Sequence, residues 1–430
     1  MTRLHVFAGP SRPAALGPAV EDAVVWHPPI RHGDLFRLRP DAGTDILIID
    51  GLYQQHAPIR HKEIIAALRQ GVRISGAASM GALRAVELGE YGMRGFGTVF
   101  QWYATGRLES DADVALTHGP AEEGYRPFTV TIVSILAATD WLCATGALSR
   151  SAGDRLVGLC QQAHFTARSR GLLRRLADDG GLRAEMDLLL DALNRAEPGD
   201  VKQHDAASAI RALVGGAPAG PAPDLRDLPA SSYEAQWRLD FTPYDDVVTE
   251  GQLLTFAQLF LPDWPRRQLE HVRRIAAGAD LWPAAPDDRR ELPARFCTPD
   301  ELRTLSGDEL AARLLVRSFR LRPGRLVHLR LPVELFTEKE LRMLASTCAK
   351  ALRLDERAHE TVASYSATQL SGEVVDDAFA AVWACPDFEN EVLDRGFAGV
   401  DQFRRQARPF VAAARAMVGT RAVPVGSSRD

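Results

Sequence analysis

The stretch DILIIDGLYQQHAPIRHKEIIAALRQGVRISGAASMGALRAVEL, residues 45–88, decides the fold. Its first part, DILIIDG (45–51), is a continuous apolar run bounded by Asp45 and Asp50, the composition of a strand buried on both faces of a parallel sheet. APIRHKEIIAALRQG (57–71) reads as a helix. Pro58 suits its first turn, Gly71 its exit, and Ile59, Ile64 and Leu68 can face a sheet. VRISG (72–76) reads as the next strand and residues 79–88 as the next helix. LHVFAG (4–9) and residues 24–27 add strands upstream. This β-α-β-α alternation predicts an α/β N-terminal domain with a parallel sheet, a Rossmann-like βαβ core.

A βαβ unit carries a geometric consequence. Its crossover helix runs antiparallel to the strands, so helix N-termini and strand C-termini share one edge of the sheet. From Lys62 to Gln70 the helix travels about 12 Å away from that edge. The following strand returns about the same distance. Ser79 therefore comes back to the level of Lys62, and Asp50, ending the neighbouring strand, sits on the same edge with Gly51.

Ser79 stands in AASMG (77–81), one methyl group away from the G-x-S-x-G nucleophile elbow. Gly76, Ala77, Ala78 and Gly81 permit a tight strand-to-helix turn that exposes a serine hydroxyl. The backbone N–H groups of Met80 and Gly81, at the start of the helix, lack intrahelical partners and can serve as an oxyanion hole. The default role for a serine there is an N-cap. A nucleophile needs a base, and no acid and histidine follow at a triad spacing. Of 51 basic residues only four are lysines: Lys62, Lys202, Lys339 and Lys350. Lysine can give up its proton near neutral pH when desolvated, whereas arginine cannot. Lys62 in place of a histidine would make a serine–lysine dyad. His61 and Lys62 face about 100° apart on a helix, so one of the two reaches the site. Arg84 and Glu87, three apart, read as a helix-surface ion pair, with Arg84 a candidate support for the site.

Composition removes several classes. The chain has 430 residues, 46% hydrophobic and 25% charged, with a net charge of −5, which gives no reason to expect nucleic acid as the partner. Its five cysteines, Cys143, Cys160, Cys297, Cys348 and Cys385, are widely spaced and form no CxxC, so neither a disulfide framework nor a zinc site is expected. Asp111, Asp113 and His118 are too few and poorly spaced for a metal. No cofactor is expected. The N-terminus lacks an apolar signal-peptide core, and FTVTIVSILAATDWLCATGAL (128–148), with Asp140 inside it, reads as a buried helix rather than a membrane span. A cytoplasmic location is the expectation.

These residues resemble the TfuA-like protein family. The resemblance runs through VFAGPS, PPIRHGDL, ILIIDGLY, HKEIIAAL and GVRISGAASMGALRAVELGEYGMRGFGTVFQWYATG to SDADVALTHG, about residues 4–120, and fades beyond Gly119. It implies an accessory hydrolase of a YcaO-dependent peptide-modification (thioamidation) pathway. Such a protein hydrolyses the C-terminal thiocarboxylate of a ThiS-like sulfur carrier protein, releases sulfide, and helps the YcaO enzyme engage its precursor peptide. The family's serine–lysine pair falls on Ser79 and Lys62. Two other functions stay open: a non-catalytic adaptor that binds the YcaO enzyme and its precursor peptide, and a conventional serine esterase or amidase, which the missing triad disfavours.

Three regions are expected: an α/β domain with a helical extension over 1–214, with its core at 4–120; a linker at 215–232; and a mostly α-helical C-terminal region over 233–430, whose role the sequence does not reveal. Within the last, GRLVHLRLP (324–332) reads as an isolated strand.

Overall fold

The computed structural model of the 430-residue chain describes residues 3–53, 56–195, 200–217, 223–225, 227–228, 231–276, 296–318, 333–361 and 365–421. The chain divides into two compact units, Met1–Pro229 and Ala230–Asp430. The linker expected over 215–232 falls partly, and the strand expected over 324–332 wholly, outside the described residues.

In the first unit five strands, β1 (Leu4–Phe7), β2 (Val24–His27), β3 (Asp45–Ile48), β4 (Arg73–Ala77) and β5 (Arg94–Phe96), form one sheet in the order β2-β1-β3-β4-β5. Every pairing is parallel. This is a doubly wound order, and its reversal between β1 and β3 opens a crevice at the carboxyl ends of those strands.

The alternation of side chains along β3 explains why its sequence is apolar throughout. Ile46 and Ile48 face one layer with Ile64, Ile74 and Ala85. Leu47 and Ile49 face the other with Leu4, Val6, Ala206 and Ile210. Both faces are covered, so both sets of alternate positions are hydrophobic. The first layer includes the helices α1 (His61–Arg69) and α2 (Met80–Glu87). The other includes α5 (Val201–Val214). Earlier in the chain come α3 (Gly97–Ala104) and α4 (Ile132–Ala144). Further helices, Arg150–Gln161, Arg170–Asp179 and Arg183–Ala192, pack with α4 around Leu156, Leu173, Met186 and Leu189. The apolar run at 128–148 is therefore a buried helix of this bundle. Among the described residues no helix is long and apolar enough to cross a membrane.

α2 sits against the sheet on glycine. A Cβ on Gly76 would lie 1.9 Å from the Gly81 carbonyl oxygen, and one on Gly81 would lie 1.8 Å from the Ile48 carbonyl oxygen. Backbone touches backbone here, and only hydrogen fits between.

The second unit is helical among its described residues. An aromatic core of Phe256, Trp264, Phe379, Phe397, Phe403 and Phe410 holds it together. Beside that core the buried Arg317 guanidinium donates to Asp394 and Glu301, each at 2.7–2.8 Å.

Candidate active site

β4 ends at Ala77, and the chain then turns through Ala78 at φ +67°, a left-handed conformation that costs an alanine on the order of 1–3 kcal/mol. Ser79 follows at φ −130°, ψ −127°, with its N–H donating to the Ala77 carbonyl at 2.7 Å. The hydroxyl does not take the default role: it accepts no hydrogen bond from the first turn of α2. Ser79 is buried at 7% exposure and lines a cavity of about 580 Å³ at the carboxyl edge of the sheet.

Asp50, just past β3, lines the same cavity. Its Oδ2 accepts from the N–H groups of Gly9 (2.9 Å) and Ser11 (2.8 Å), and its Oδ1 accepts from the Ser11 hydroxyl at 2.7 Å. The carboxylate thus fixes the loop after β1 to the end of β3 across the crevice. Gly51 follows, where a Cβ would lie 2.3 Å from Met80 Sδ; glycine lets the methionine pack against the loop.

The lysine at this cavity is Lys202, on α5. Its side chain is 2% exposed; Nζ donates to the Val114 carbonyl at 3.1 Å and lies 3.9 Å from Asp50 Oδ1. α5 is held in place at both ends of its first turns. Asp200 caps it, accepting from Lys202 N at 3.0 Å and from the Ser134 hydroxyl at 3.2 Å. Asp205, one turn beyond Lys202, accepts from the Thr98 and Val99 N–H groups at 2.9 and 2.8 Å, capping α3. Burial pushes the Asp205 carboxyl above the usual range, against those two hydrogen bonds.

Lys62 is placed differently from the expectation. It is exposed on α1 and is not among the residues lining the cavity. Its neighbour His61, itself half-exposed and outside the cavity lining, meets the cavity wall instead. His61 Nε2 lies 2.8 Å from Glu87 Oε2 and 3.3 Å from Arg84 Nη1, and both of those side chains line the cavity. Glu63 turns fully inward on the other side, where it is bound by His32 Nδ1, Gly33 N and Leu35 N at 2.9–3.0 Å. It joins α1 to the loop after β2.

The oxyanion donors also need correction. Gly81 N–H donates to the Ile49 carbonyl at 3.1 Å and is not available to a ligand. Met80 N–H has no acceptor among the described residues. The Arg84–Glu87 ion pair expected from their spacing is present, through Arg84 Nη1 and Glu87 Oε2.

The far wall comes from the segment at 109–118. Asp113 and Ser110 form a capping box, so the acid has a structural task. His118 Nδ1 lies 2.7 Å from the Gly119 carbonyl oxygen. Tyr53 reaches from the β3 side to Asp111, whose hydrogen bond raises the phenol's pKa, and packs against Phe165 at 6.1 Å. Among the described residues no group of three or more His, Cys, Asp or Glu could hold a metal ion.

Lys202, Ser11 and Val114 were not singled out as site residues from the sequence. For Lys202 there was a signal: lysine is scarce in this chain, and DVKQHDA places it between two acids at 200 and 205. Nothing local pointed it toward Ser79.

Comparison with known families supports the resemblance read from the motifs but shifts its bounds, beginning at residue 50 rather than 4 and continuing past Gly119 to residue 169. Residues 50–169 match a family model described as TfuA-like protein, and this segment of the chain is TfuA-like. The match includes Asp50, Ser79 and Arg84 and ends before Lys202. No curated protein is matched.

Proposed function

We propose that this chain is a serine hydrolase that cleaves the C-terminal thiocarboxylate of a small ThiS-like sulfur carrier protein, releasing sulfide for a YcaO-dependent modification of a precursor peptide. The substrate and the pathway follow the TfuA-like character of residues 50–169. The chemistry rests on one observation: an uncapped serine on a strained turn and a buried lysine line the same cavity.

Ser79 Oγ attacks the thiocarboxylate carbon and passes its proton to the Lys202 amine. Met80 N–H, at the positive end of α2, faces the developing oxyanion. The C–S bond breaks, and sulfur leaves as hydrosulfide with the proton from Lys202. This leaves a neutral acyl-serine ester. Water, deprotonated by Lys202, then attacks the ester, giving the carrier's carboxylate, a proton and free Ser79. Asp50 positions Lys202 without touching the substrate. This reading moves the lysine of the dyad from Lys62 to Lys202, because Lys202 lines the cavity with Ser79 and the exposed Lys62 does not.

The test is sulfide release from a thiocarboxylated carrier. Wild-type protein is expected to release it and Ser79→Ala to fall to background. If Ser79→Ala still supports YcaO-dependent modification at the wild-type rate, the chain acts as an adaptor and the hydrolase reading fails.

A further inference from the structure

Two cationic side chains stand on the cavity wall among its described lining residues, Lys202 and Arg84. Lys202 has Asp50 and the Val114 carbonyl beside it. Arg84 is less fully used. Its Nη1 is shared by Glu87 and His61. Its Nη2 has no acceptor among the described residues, and its Nε is sealed from solvent with none either. The side chain is only 13% exposed, so this is not a solvated surface arginine. Helical side chains lean toward the N-terminus of their helix, which for Arg84 is the Ser79 end of α2.

We propose that Arg84 is the receptor for the negative charge of the substrate's acyl group, and that it makes the Ser79 site prefer acids to neutral esters; this rests on the hydrolase reading above. A thiocarboxylate already carries a full negative charge. Attack by serine adds a second to the tetrahedral intermediate, and one backbone N–H does not offset both. A guanidinium stays charged at every working pH, and a hydrogen bond from it to an anion is stronger than one between neutral groups. Arg84 brings a positive charge and one uncommitted donor, Nη2, to that wall. The competing role is a clamp, in which Arg84 only ties α2 to α1 through Glu87 and His61.

The experiment uses the full chain with two substrates of one short peptide: its C-terminal thiocarboxylate and its neutral S-methyl thioester. Arg84→Gln is expected to lower kcat/KM for the thiocarboxylate by about tenfold or more beyond its effect on the thioester. Equal losses on both substrates would overturn the proposal. Glu87→Gln breaks the clamp while keeping the arginine, and the acid preference is expected to survive it; its loss would count for the clamp. A binding arm works without turnover. Ser79→Ala is titrated with the peptide acid and the peptide amide, and the acid is expected to bind more tightly, a difference removed by adding Arg84→Gln. Equal affinities in Ser79→Ala overturn the receptor. An acid preference in a protein that releases no sulfide would sink the hydrolase reading and leave the receptor standing.

Discussion

Lys202 Nζ stands 3.9 Å from Asp50 Oδ1, so a helix late in the first unit and the end of a central strand close on one cavity. Asp50 has further partners in Gly9 and Ser11, which draws the loop after β1 into the same arrangement. Three separate parts of the chain thus meet beside Ser79. The TfuA-like segment supplies two of the groups and depends on its surroundings for the rest.

The two lysines can be separated by substitution. Lys202→Met keeps much of the buried volume, and Asp50 retains its three donors from Gly9 and Ser11. Losing a proton-transfer group is expected to lower sulfide release by about 10²-fold or more. Lys202→Arg should be similarly inactive, since an arginine does not give up its proton. Lys62→Ala is expected to stay within about twofold of wild type, as exposed positions away from a site usually do. A steady-state sulfide assay with circular dichroism to check folding decides it. Loss of activity in Lys62→Ala with Lys202→Met active would return the dyad to Lys62.

The glycines under α2 predict a stability effect of unusual size. Gly76→Ala and Gly81→Ala each drive a methyl group to within 2 Å of a backbone carbonyl oxygen, which no side-chain rotation relieves. Each is expected to cost about 3 kcal/mol or more. At Gly89 a Cβ meets nothing within 4 Å, and Gly89→Ala should be close to neutral. Denaturant unfolding of the three variants would show the contrast. A fully stable Gly81→Ala would mean that α2 does not rest on β3 as described.

These residues also show what the sequence could reveal. Ile46, Leu47, Ile48 and Ile49 announced a strand covered on both sides, and the parallel sheet followed from it. Gly76 and Gly81 were legible as a tight turn, but their reason is the distance between helix and sheet, a contact that local composition does not express. The shared edge of the sheet was derived from chain direction alone, and Asp50 after β3 and Ser79 before α2 line one cavity, whereas no residue of α1 does. Helical phase was beyond that argument. One residue changes direction by about 100°, which is the difference between His61 on the cavity's ion pair and Lys62 exposed and outside the cavity lining. Lys202 was hidden for a different reason: its approach to Asp50 depends on where α5 docks, which is set by Asp200 and Asp205 against elements far away in sequence.

Asp205 makes stability depend on pH in a definite sense. Burial raises its pKa in the folded chain above the unfolded value, so the folded state holds the proton more tightly. As pH rises from the unfolded pKa through the folded one, the unfolded state binds fewer protons and stability falls; above that window the effect is constant. Asp205→Asn removes this slope while sacrificing one of the two bonds to Thr98 and Val99. The variant is expected to be less stable than wild type, with the gap largest at acid pH and narrowing toward neutrality. Urea unfolding between pH 3.5 and 7 measures it. A gap that widens with pH would show that the two N–H bonds outweigh burial.

Thiol labelling checks the cores of the two units and the identity of the nucleophile together. Burial pushes Cys160 and Cys348 up to about 12. At pH 8 only about one in ten thousand of such thiols is ionised, and the thiolate is the form that reacts. Neither is expected to take up iodoacetamide until the chain unfolds. Cys143 is partly exposed and should be modified first. Among the described residues no cysteine lines the cavity that holds Ser79. Mass spectrometry of the alkylated native protein should therefore find label at Cys143, none at Cys160 or Cys348, and undiminished sulfide release. If alkylation under native conditions abolishes release, a thiol takes part in the chemistry, and Ser79 cannot be the sole nucleophile.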